Sequence, residues 1–360
     1  MWRASLKHGM SSLVCGLDVH KDSVFATVMS YGGEVVERKK LSNGEVVSFL
    51  DQYPVDKVAM ESSTCIVPIY KALRGRGYKL LVSHPKKTRL IAESRIKTDR
   101  VDSWAVAELA RLDALPLSYM PPDDIAVLRE KVRRRAFLVR MRSKLKVKIK
   151  AHLTINGLTP TVECGLFTRN GLEWLHSLQS DTIESYLPVL SALTVQVERL
   201  SKELRKMAPD DEDVRLLMTI PGVGYYSALL IKSEVGDISR FADGEKLCSY
   251  AGLVPSISIS GGRKRYGSIT KEGSRWLRWI MVECVYIHLR YDTSISRAYH
   301  AIAERKGRSI AKVAAARRLL MCCDSVLRNH KPYHDPANRY QGQATMKSSV
   351  RTLRPRTRLL

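Results

Sequence analysis

Four carboxylates in the first third of the chain have the positions that metal-dependent chemistry would require. Asp18 lies inside the apolar run LVCGLDV, and Glu61 follows the apolar run KVAM. An ionised acid in a strand that is buried on both faces is costly unless a cation compensates it. Asp99 and Asp102 are three residues apart, so a helix would place both on one face of its first turn. Carboxylate oxygens of this kind suit Mg²⁺ or Mn²⁺, and two such ions can clamp a scissile phosphate.

Each of these acids also has a structural explanation when it is taken alone. Asp99 and Asp102 could cap a helix and compensate its dipole, as acids do in many helices. Their combination with acids on two apolar strands, in a strongly basic chain, favours one shared site instead. We therefore predict that Asp18, Glu61, Asp99 and Asp102 are catalytic residues that hold Mg²⁺ or Mn²⁺.

The pattern of residues 13–120 predicts the elements that would bring these acids together. Apolar alternation and turn residues predict three strands joined by hairpins, then helices and strands in turn. The predicted strands are 13–19, 23–30, 34–41, 57–62 and 79–84, and the predicted helices are 47–53, 68–77 and 98–112. This is the element order of an RNase H-like sheet, so we predict an α/β N-terminal domain of the RNase H-like class.

The charge of the chain indicates the class of its partner. Lys and Arg number 60 against 36 Asp and Glu, a formal charge of +24 over 360 residues, and 44% of the residues are hydrophobic. An apolar fraction this large excludes wholesale disorder. The positive charges of the chain repel one another, which favours a polyanionic partner: nucleic acid first, an anionic membrane surface second. No apolar run reaches the roughly 18 residues of a membrane-spanning helix. The scattered cysteines and the absence of a signal-peptide pattern predict a reduced, cytoplasmic protein.

Residues 121–207 have the pattern of long helices. A helix start is predicted at Pro122, and between Arg129 and Lys150 eleven of 22 side chains are basic while one, Glu130, is acidic. One interpretation is a coiled-coil hairpin with a solvated basic face. Like charges four residues apart repel each other, so the excess favours a helix that faces phosphates. We predict nucleic-acid contacts at Arg133, Arg134, Lys144 and Lys148.

Residues 208–330 are predicted to form a mostly α-helical domain. The segment VRLLMTIPGVGYYSALLIKSEVG predicts a helix, a tight PGVG turn and a second helix. Helix-hairpin-helix modules use such a turn to face a phosphate, and an ordinary helix–helix turn is the alternative. We interpret residues 253–279 as a loop, with helices at 276–290 and 309–328. Residues 331–360 are predicted to be a disordered or loosely docked basic tail.

The predicted loop contains a candidate nucleophile. Ser260 precedes two glycines and the basic run at 263–265. Glycine lets a loop approach a phosphate closely, and basic groups stabilise the charge that builds at phosphorus. Attack by a serine hydroxyl would leave a covalent phosphoserine. Ser258 and Ser268 are alternatives to Ser260. Further nucleic-acid contacts are predicted at Arg263, Lys264, Arg265 and Lys271.

Two distant blocks of the chain resemble one known family. GLDVHKDSVFA, the MES strand and KTDRVDSWAVAELA lie in the first block, and IPGVG and YAGLVPSISISGGRKRYGSITKEGSRWLR lie in the second. Over about residues 13–328 the chain resembles the transposases of the insertion-sequence-110 family, also called Piv/MooV-type DNA recombinases. The resemblance implies a RuvC-like domain joined through a coiled coil to a C-terminal transposase domain. It also implies an Asp-Glu-Asp-Asp set at the four acids, a catalytic serine at Ser260, and an oligomer, expected to be a tetramer. Donor and target DNA would be recombined under the direction of a non-coding bridge RNA.

These expectations combine into one functional hypothesis with two alternatives. The chain is expected to be an insertion-sequence transposase that cuts and rejoins DNA through a serine–phosphate intermediate with a divalent metal ion, guided by RNA. It would act at the bacterial or archaeal nucleoid. The first alternative is a RuvC-like structure-specific endonuclease that uses the same acids with water as the nucleophile. The second is a non-catalytic RNA- and DNA-binding protein whose acids are structural.

Overall fold

The computed structural model describes residues 12–91, 99–161, 165–260 and 263–335. The chain forms two compact units, Met1–Met120 and Pro121–Leu360. The predicted further division of the second unit, at residues 207 and 330, stays a prediction. Among the described residues, no helix combines the length and the apolar character that crossing a bilayer requires.

The first unit is built on one mixed sheet of five strands. Its elements are β1 (Leu13–Val19), β2 (Ser23–Ser30), β3 (Val35–Ser42), α1 (Val46–Leu50), β4 (Val55–Glu61), α2 (Ile66–Leu73), β5 (Lys79–Ser83), α3 (Pro85–Ile91) and α4 (Asp99–Arg111). The strand order is β3-β2-β1-β4-β5. The first three strands pair antiparallel, and β1, β4 and β5 pair parallel. The predicted RNase H-like order is confirmed.

Both faces of the sheet are covered, which explains why β1 is almost continuously apolar. Side chains alternate between the faces of a strand. Leu17 and its odd-numbered neighbours in β1 pack in the cluster that contains α1 and α2. Val14, on the other face, packs with Val106 and Ala110 of α4. Even-numbered residues of β1 therefore face α4, and odd-numbered residues face α1 and α2.

The second unit is mostly helical. Its elements are α5 (Asp123–Ile155), α6 (Arg169–Ser177), α7 (Asp181–Met207), α8 (Glu212–Leu217), α9 (Tyr225–Val235), a 3₁₀ turn (Ile238–Arg240), α10 (Gly244–Tyr250), β6 (Pro255–Ser260), β7 (Arg263–Ile269), α11 (Arg275–His288), α12 (Ser294–Lys306) and α13 (Arg308–Asn329). As predicted, α5 begins after Pro122 and ends before Asn156. Buried residues recur every three or four positions along α7, from Ile183 to Leu204, and this apolar seam packs against α5.

The prediction of a loop at 253–279 is wrong for most of that segment. Residues 255–269 form a two-stranded antiparallel hairpin, β6–β7, which we call the serine hairpin. The run PSISIS alternates isoleucine and serine, which is the period of a strand, but its many small polar residues resemble a loop in composition. Helices α6, α10 and α12 were also not predicted. Of the predicted tail, residues 336–360 lie outside the described residues, whereas Asp335 is buried and accepts a hydrogen bond from the Ser294 amide at 2.8 Å.

Candidate active site

The predicted carboxylates of the first unit occupy the same end of the same face of its sheet. Asp18 follows Val14 and Gly16 in the alternation of β1, so it lies on the α4 face. Glu61 is the last residue of β4, two positions after Ala59, which packs with α4. The parallel register pairs Leu17 with Met60, which makes Glu61 the neighbour of Asp18. Asp99 and Asp102 stand in the first turn of α4. We call Asp18, Glu61, Asp99 and Asp102 the acid cluster.

A close approach of α4 to the sheet holds its first turn beside β1. A Cβ atom on Gly16 would lie 2.1 Å from the carbonyl oxygen of Ser103 and 2.6 Å from the amide nitrogen of Ala107. Those distances are far inside van der Waals contact, so only glycine lets the helix backbone rest on the strand. The Ser103 and Thr27 hydroxyls are also hydrogen-bonded at 2.8 Å in the buried interface between α4 and β2.

His20 lies between two members of the acid cluster. Its Nε2 atom is 3.3 Å from Oδ2 of Asp18 and 3.3 Å from Oδ1 of Asp99. These three side chains offer ligand atoms that all lie within 4.8 Å of one another. The sequence alone allows two interpretations of His20, a polar residue at the end of a strand or a contact to metal ligands or DNA, and in the structure its ring lies beside two of the acids. Its position two residues after Asp18 was the available signal.

The electrostatics of Asp18 connect all four acids. Burial raises the pKa of the Asp18 carboxyl above its ordinary value, and the charges of Asp102, Asp99 and Glu61 raise it further. His20 acts in the opposite direction and offsets part of the shift. A divalent cation among these oxygens would relieve the repulsion, and carboxylate oxygens are donors that Mg²⁺ and Mn²⁺ accept, whereas the imidazole of His20 is more typical of a ligand to softer metals. The acids therefore fit a divalent cation, and their donor set does not identify which one.

The candidate nucleophile stands at the end of the serine hairpin. Ser260 is the last residue of β6 and pairs with Arg263, while Ser258 pairs with Arg265. Both serines are exposed, and neither hydroxyl has a hydrogen bond to any residue that the structure describes. The two glycines of the turn, 261–262, lie outside the described residues. Ser268 lies on β7, and the geometry of the hairpin does not by itself separate Ser260 from its alternatives.

The base of the serine hairpin is tightly fixed. The Thr270 amide donates to the carbonyl oxygen of Val254 at 2.9 Å, and the Ser274 amide donates to that of Tyr250 at 2.8 Å. Gly252 has a φ of +65°, and a Cβ there would lie 2.3 Å from the carbonyl oxygen of Glu272. The segments that enter and leave the hairpin are therefore held together at its base.

A buried carboxylate connects this base to the basic helix α5. Glu234 is 1% exposed and accepts two hydrogen bonds from Arg133, at 2.8 and 2.9 Å. It also accepts one at 2.8 Å from the Ser274 hydroxyl, which in turn caps α11 by accepting from the Leu277 amide. Such a bidentate pair is strong because a buried carboxylate needs its cation. The predicted nucleic-acid contact at Arg133 stays a prediction; in the structure its guanidinium pairs with Glu234.

Two other basic residues of α5 stack on aromatic rings. The Arg140 guanidinium lies 4.6 and 5.1 Å from the ring centres of Trp276 and Trp279, and Arg135 lies 4.2 Å from that of Tyr226. These cations stabilise the packing of the second unit. The remaining predicted nucleic-acid contacts are exposed: Arg134, Lys144, Lys148, Arg263, Lys264, Arg265 and Lys271.

The PGVG turn is also held by the fold. It joins α8 to α9, and His288 of α11, which is fully buried, has its Nδ1 atom 2.7 Å from the carbonyl oxygen of Pro221. The Nε2 atom of the same ring is 2.8 Å from the Thr293 hydroxyl. Both ring nitrogens are used, so His288 fixes the turn against α11.

Comparisons with known proteins relate the chain to one family of transposases. The family model described as "Transposase IS116/IS110/IS902 family" matches residues 214–301, and the transposase model DEDD_Tnp_IS110 matches residues 15–156. The transposase for insertion sequence element IS1328 of Yersinia enterocolitica is 26% identical over 287 residues, 76% of this chain and 83% of that protein. The transposase for element IS1111A of Coxiella burnetii is 27% identical over 319 residues, 85% of this chain and 86% of that protein. Among solved structures, T. thermophilus RuvC in complex with a Holliday junction substrate matches 30% of this chain and 99% of that chain, at 11% identity and a TM-score of 0.25.

Proposed function

The chain belongs to the IS116/IS110/IS902 family of insertion-sequence transposases, and from this premise we propose that it cuts and rejoins DNA with Ser260 and the metal-binding acid cluster. The observation that supports this most strongly is the convergence of the acids at one end of one sheet face: Glu61 neighbours Asp18 in the strand register, and the Nε2 atom of His20 lies 3.3 Å from an oxygen of Asp18 and from one of Asp99. Acids with a purely structural role would not need to converge where their charges oppose one another.

The serine hairpin supports the covalent step. The Ser260 oxygen would attack a backbone phosphorus, its proton would pass to a base, and the bond from phosphorus to one sugar oxygen would break. The phosphoserine conserves the energy of that bond, so a sugar hydroxyl can later attack it, reform a DNA strand and release the serine. Arg263, which pairs with Ser260, and the exposed Arg265 are placed to stabilise the negative charge that builds on the phosphate.

The acid cluster supports the metal-dependent part of the reaction. A bound divalent cation would neutralise negative charge on the phosphate and so favour the exchange of one oxygen for another at phosphorus. Asp18 and Asp99 offer oxygens toward one point, and His20 lies between them. Glu61 and Asp102 add the negative charge that makes a cation favourable there.

The charge of the chain supports nucleic acid as the partner. We propose that the exposed basic residues of α5 and of the serine hairpin bind DNA and a structured non-coding RNA, that this RNA directs the choice of DNA site, and that the protein acts as a tetramer at the nucleoid. Sequencing the nucleic acid that co-purifies with the protein tests the guide. A preparation in which no discrete RNA species is enriched would contradict it.

A covalent adduct tests the proposed reaction. DNA containing an end of the element, labelled on one strand, is incubated with the full chain and Mg²⁺, then denatured and separated by gel electrophoresis. The label should migrate with the protein for the wild type and for Ser258→Ala, but not for Ser260→Ala or Asp18→Asn. Loss of the adduct in Ser258→Ala with its retention in Ser260→Ala would move the nucleophile to Ser258.

A nuclease that uses water is the second candidate. One observation favours it: the acid cluster is assembled within the first unit, whereas the Ser260 hydroxyl has no hydrogen-bonded base among the described residues. In that case Mg²⁺-dependent cleavage would leave no adduct and would survive Ser260→Ala. A binding protein without activity would show no cleavage, and Asp18→Asn would change nothing.

A further inference from the structure

Two basic residues of the edge strand β3 lie in line with the acid cluster on the α4 face of the sheet. The antiparallel register pairs Lys40 with Phe25, and Phe25 with Asp18. Residues directly opposite each other in an antiparallel pair point to the same face. Lys40, Phe25 and Asp18 therefore form one row across three strands. Arg38 lies one row further along, opposite Thr27.

Arg38 lies beside the first turns of α4. Its strand partner Thr27 is hydrogen-bonded to Ser103 at 2.8 Å, and the Ser103 hydroxyl donates to the carbonyl oxygen of Arg100 at 3.3 Å. The pKa of Arg38 is lowered by burial and then by the charge of Arg100, so the two guanidinium groups repel each other. Arg100 lies between Asp99 and Asp102 in the first turn of α4, so it borders the acid cluster. Arg38 borders the cluster too, because its charge acts on that of Arg100.

Arg38 lacks an anionic partner in the part of the chain that the structure describes. Its Nε atom is buried and has no hydrogen bond to any of those residues. Within the same ranges, neither Lys40 nor Arg100 forms an ion pair. A buried donor without an acceptor is costly, as is a pair of like charges without a counter-ion. One anion held between these side chains would accept a hydrogen bond from the Arg38 guanidinium and would also neutralise part of the positive charge of Arg38 and Arg100.

We propose that Arg38, Lys40 and Arg100 bind the phosphodiester backbone of the nucleic-acid strand that enters the acid cluster. Adjacent strands are about 4.8 Å apart, so β3 lies about 10 Å from β1. A duplex carries one phosphate per about 3.4 Å of helix axis on each strand, so this distance is long enough to reach a phosphate other than the one at the acid cluster. The strand would run from the acid cluster across Phe25, a half-buried ring, to Lys40 and Arg38. The planar guanidinium fork of arginine suits a phosphate, and the compact ammonium group of lysine adds a point charge.

This assignment rests on the proposed function in one respect, that the acid cluster acts on nucleic acid. Beyond the proposed function, the assignment states which side chains bind the phosphates next to the reacting one. It also states that the nucleic-acid strand reaches the acid cluster from the side of β3. These contacts read no bases, so they should contribute equally on every DNA sequence.

The strand β3 supplies a matched control. Lys39 and Lys40 are adjacent, exposed and equally charged. Lys39 pairs with Ala26, which packs in the cluster on the other face with α1 and α2. Lys39→Gln therefore removes the same charge from the opposite face of the same strand, and neither substitution disturbs a buried contact.

The test measures the salt dependence of DNA binding by the full chain. The probes are a mixed-sequence duplex and one of its single strands, and all variants carry Asp18→Asn so that no strand is cut. Each lost phosphate contact should make the slope of log K against log[KCl] shallower by about 0.9 for the duplex or about 0.7 for the single strand. We expect this change for Lys40→Gln, about twice this change when Arg38→Gln is added, and no change for Lys39→Gln.

Equal slopes for the Lys39 and Lys40 variants would overturn the assignment, because the two faces of β3 would then contribute alike to DNA binding. The adduct formed by the otherwise unaltered chain is measured separately. Unchanged slopes with an intact adduct remove only the phosphate site, whereas a missing adduct removes the proposed reaction.

Discussion

The acid cluster and the serine hairpin carry complementary parts of the proposed chemistry, and the fold supports them in opposite ways. The side chain of Asp18 is 18% exposed, on a central strand that pairs with both β2 and β4 and lies under a helix whose backbone touches Gly16. Ile257, Ile259 and Tyr266 of the serine hairpin are 54%, 63% and 66% exposed. An isolated two-stranded hairpin is marginally stable in water, so its order depends on its base.

This difference indicates that the fold positions the acids before any ligand binds, whereas it leaves the serine exposed to solvent. The acids are held by the packing of the first unit in an arrangement that is electrostatically unfavourable until a cation neutralises it. The serine is presented on an exposed strand, with basic neighbours and, within the described part of the chain, no groups around it that would exclude water. We infer that the nucleic acid itself completes the surroundings of the serine.

The largest effect is expected where α4 rests on the sheet. Gly16→Ala should push α4 from β1, because its Cβ would overlap the helix backbone, and should cost about 3 kcal/mol as an overpacked core does. It should also abolish binding of Mn²⁺ by separating Asp99 and Asp102 from Asp18. Denaturant unfolding and titration with Mn²⁺ measure the two effects.

Gly44→Ala is the control for this substitution, since a Cβ at Gly44 would meet nothing within 4 Å. It should leave stability within about 0.5 kcal/mol of the wild type. If Gly16→Ala bound Mn²⁺ like the control, the acids would not depend on the position of α4.

An intermediate effect is expected at the base of the serine hairpin. Glu234→Gln removes the charge that Arg133 requires but keeps an acceptor for the Ser274 hydroxyl. We expect the rate of adduct formation to fall by about tenfold, because the serine would be less well positioned for attack. A tenfold loss corresponds to about 1.4 kcal/mol of activation free energy. Mn²⁺ binding by the acid cluster should be unchanged, and the rate of adduct formation at saturating DNA is the measurement.

Glu203→Gln is the matched control, because Glu203 is paired only with the exposed Arg199 among the described residues. Its adduct should form at the wild-type rate. Equal rates for the two variants would mean that the base of the hairpin does not position Ser260.

The smallest effect is expected in the stability of the metal-free protein. The raised pKa means that folded Asp18 holds its proton more tightly than the unfolded chain does, so ionising Asp18 destabilises the fold as pH rises above the ordinary carboxyl value, about 3.9. At pH 7 in EDTA, Asp18→Asn should therefore raise Tm. A gain of about 1 kcal/mol corresponds to roughly 2–8 °C, depending on the size of the cooperative unit.

The difference should disappear as the pH falls below about 3.9, where Asp18 becomes protonated in both the folded and the unfolded state. Adding Mn²⁺ should reverse it, because only the wild type gains the energy of binding the ion. Calorimetry in EDTA and in Mn²⁺ measures both. A lower Tm for the variant in EDTA at pH 7 would show that the four acids do not repel one another.

Much of the first unit followed from local patterns. Strand alternation and turn residues predicted the five strands in their correct order, and the spacing of Asp99 and Asp102 predicted their common helix turn. The start of α5 after Pro122 was likewise predicted from residues next to it in the chain. These features depend on neighbours a few positions away, and short-range periodicity records such neighbours.

Other features depended on partners far away in the chain. The basic run of α5 contains side chains of similar appearance, yet Arg133 binds Glu234, Arg140 stacks on two tryptophans and Lys144 stays exposed. The run PSISIS was interpreted as a loop because its strand partner, with its own irregular register, could not be recognised from composition.

The sequence by itself determined the RNase H-like order of the first unit, the identity of its acids and the excess of positive charge, because these follow from residue types and from spacing along one strand or helix. Only the tertiary structure decided that His20 lies between Asp18 and Asp99, that Glu234 holds Arg133, and that Arg38 and Lys40 flank the acids. Each of these depends on strand register or helix packing, which bring together side chains that are distant in the sequence.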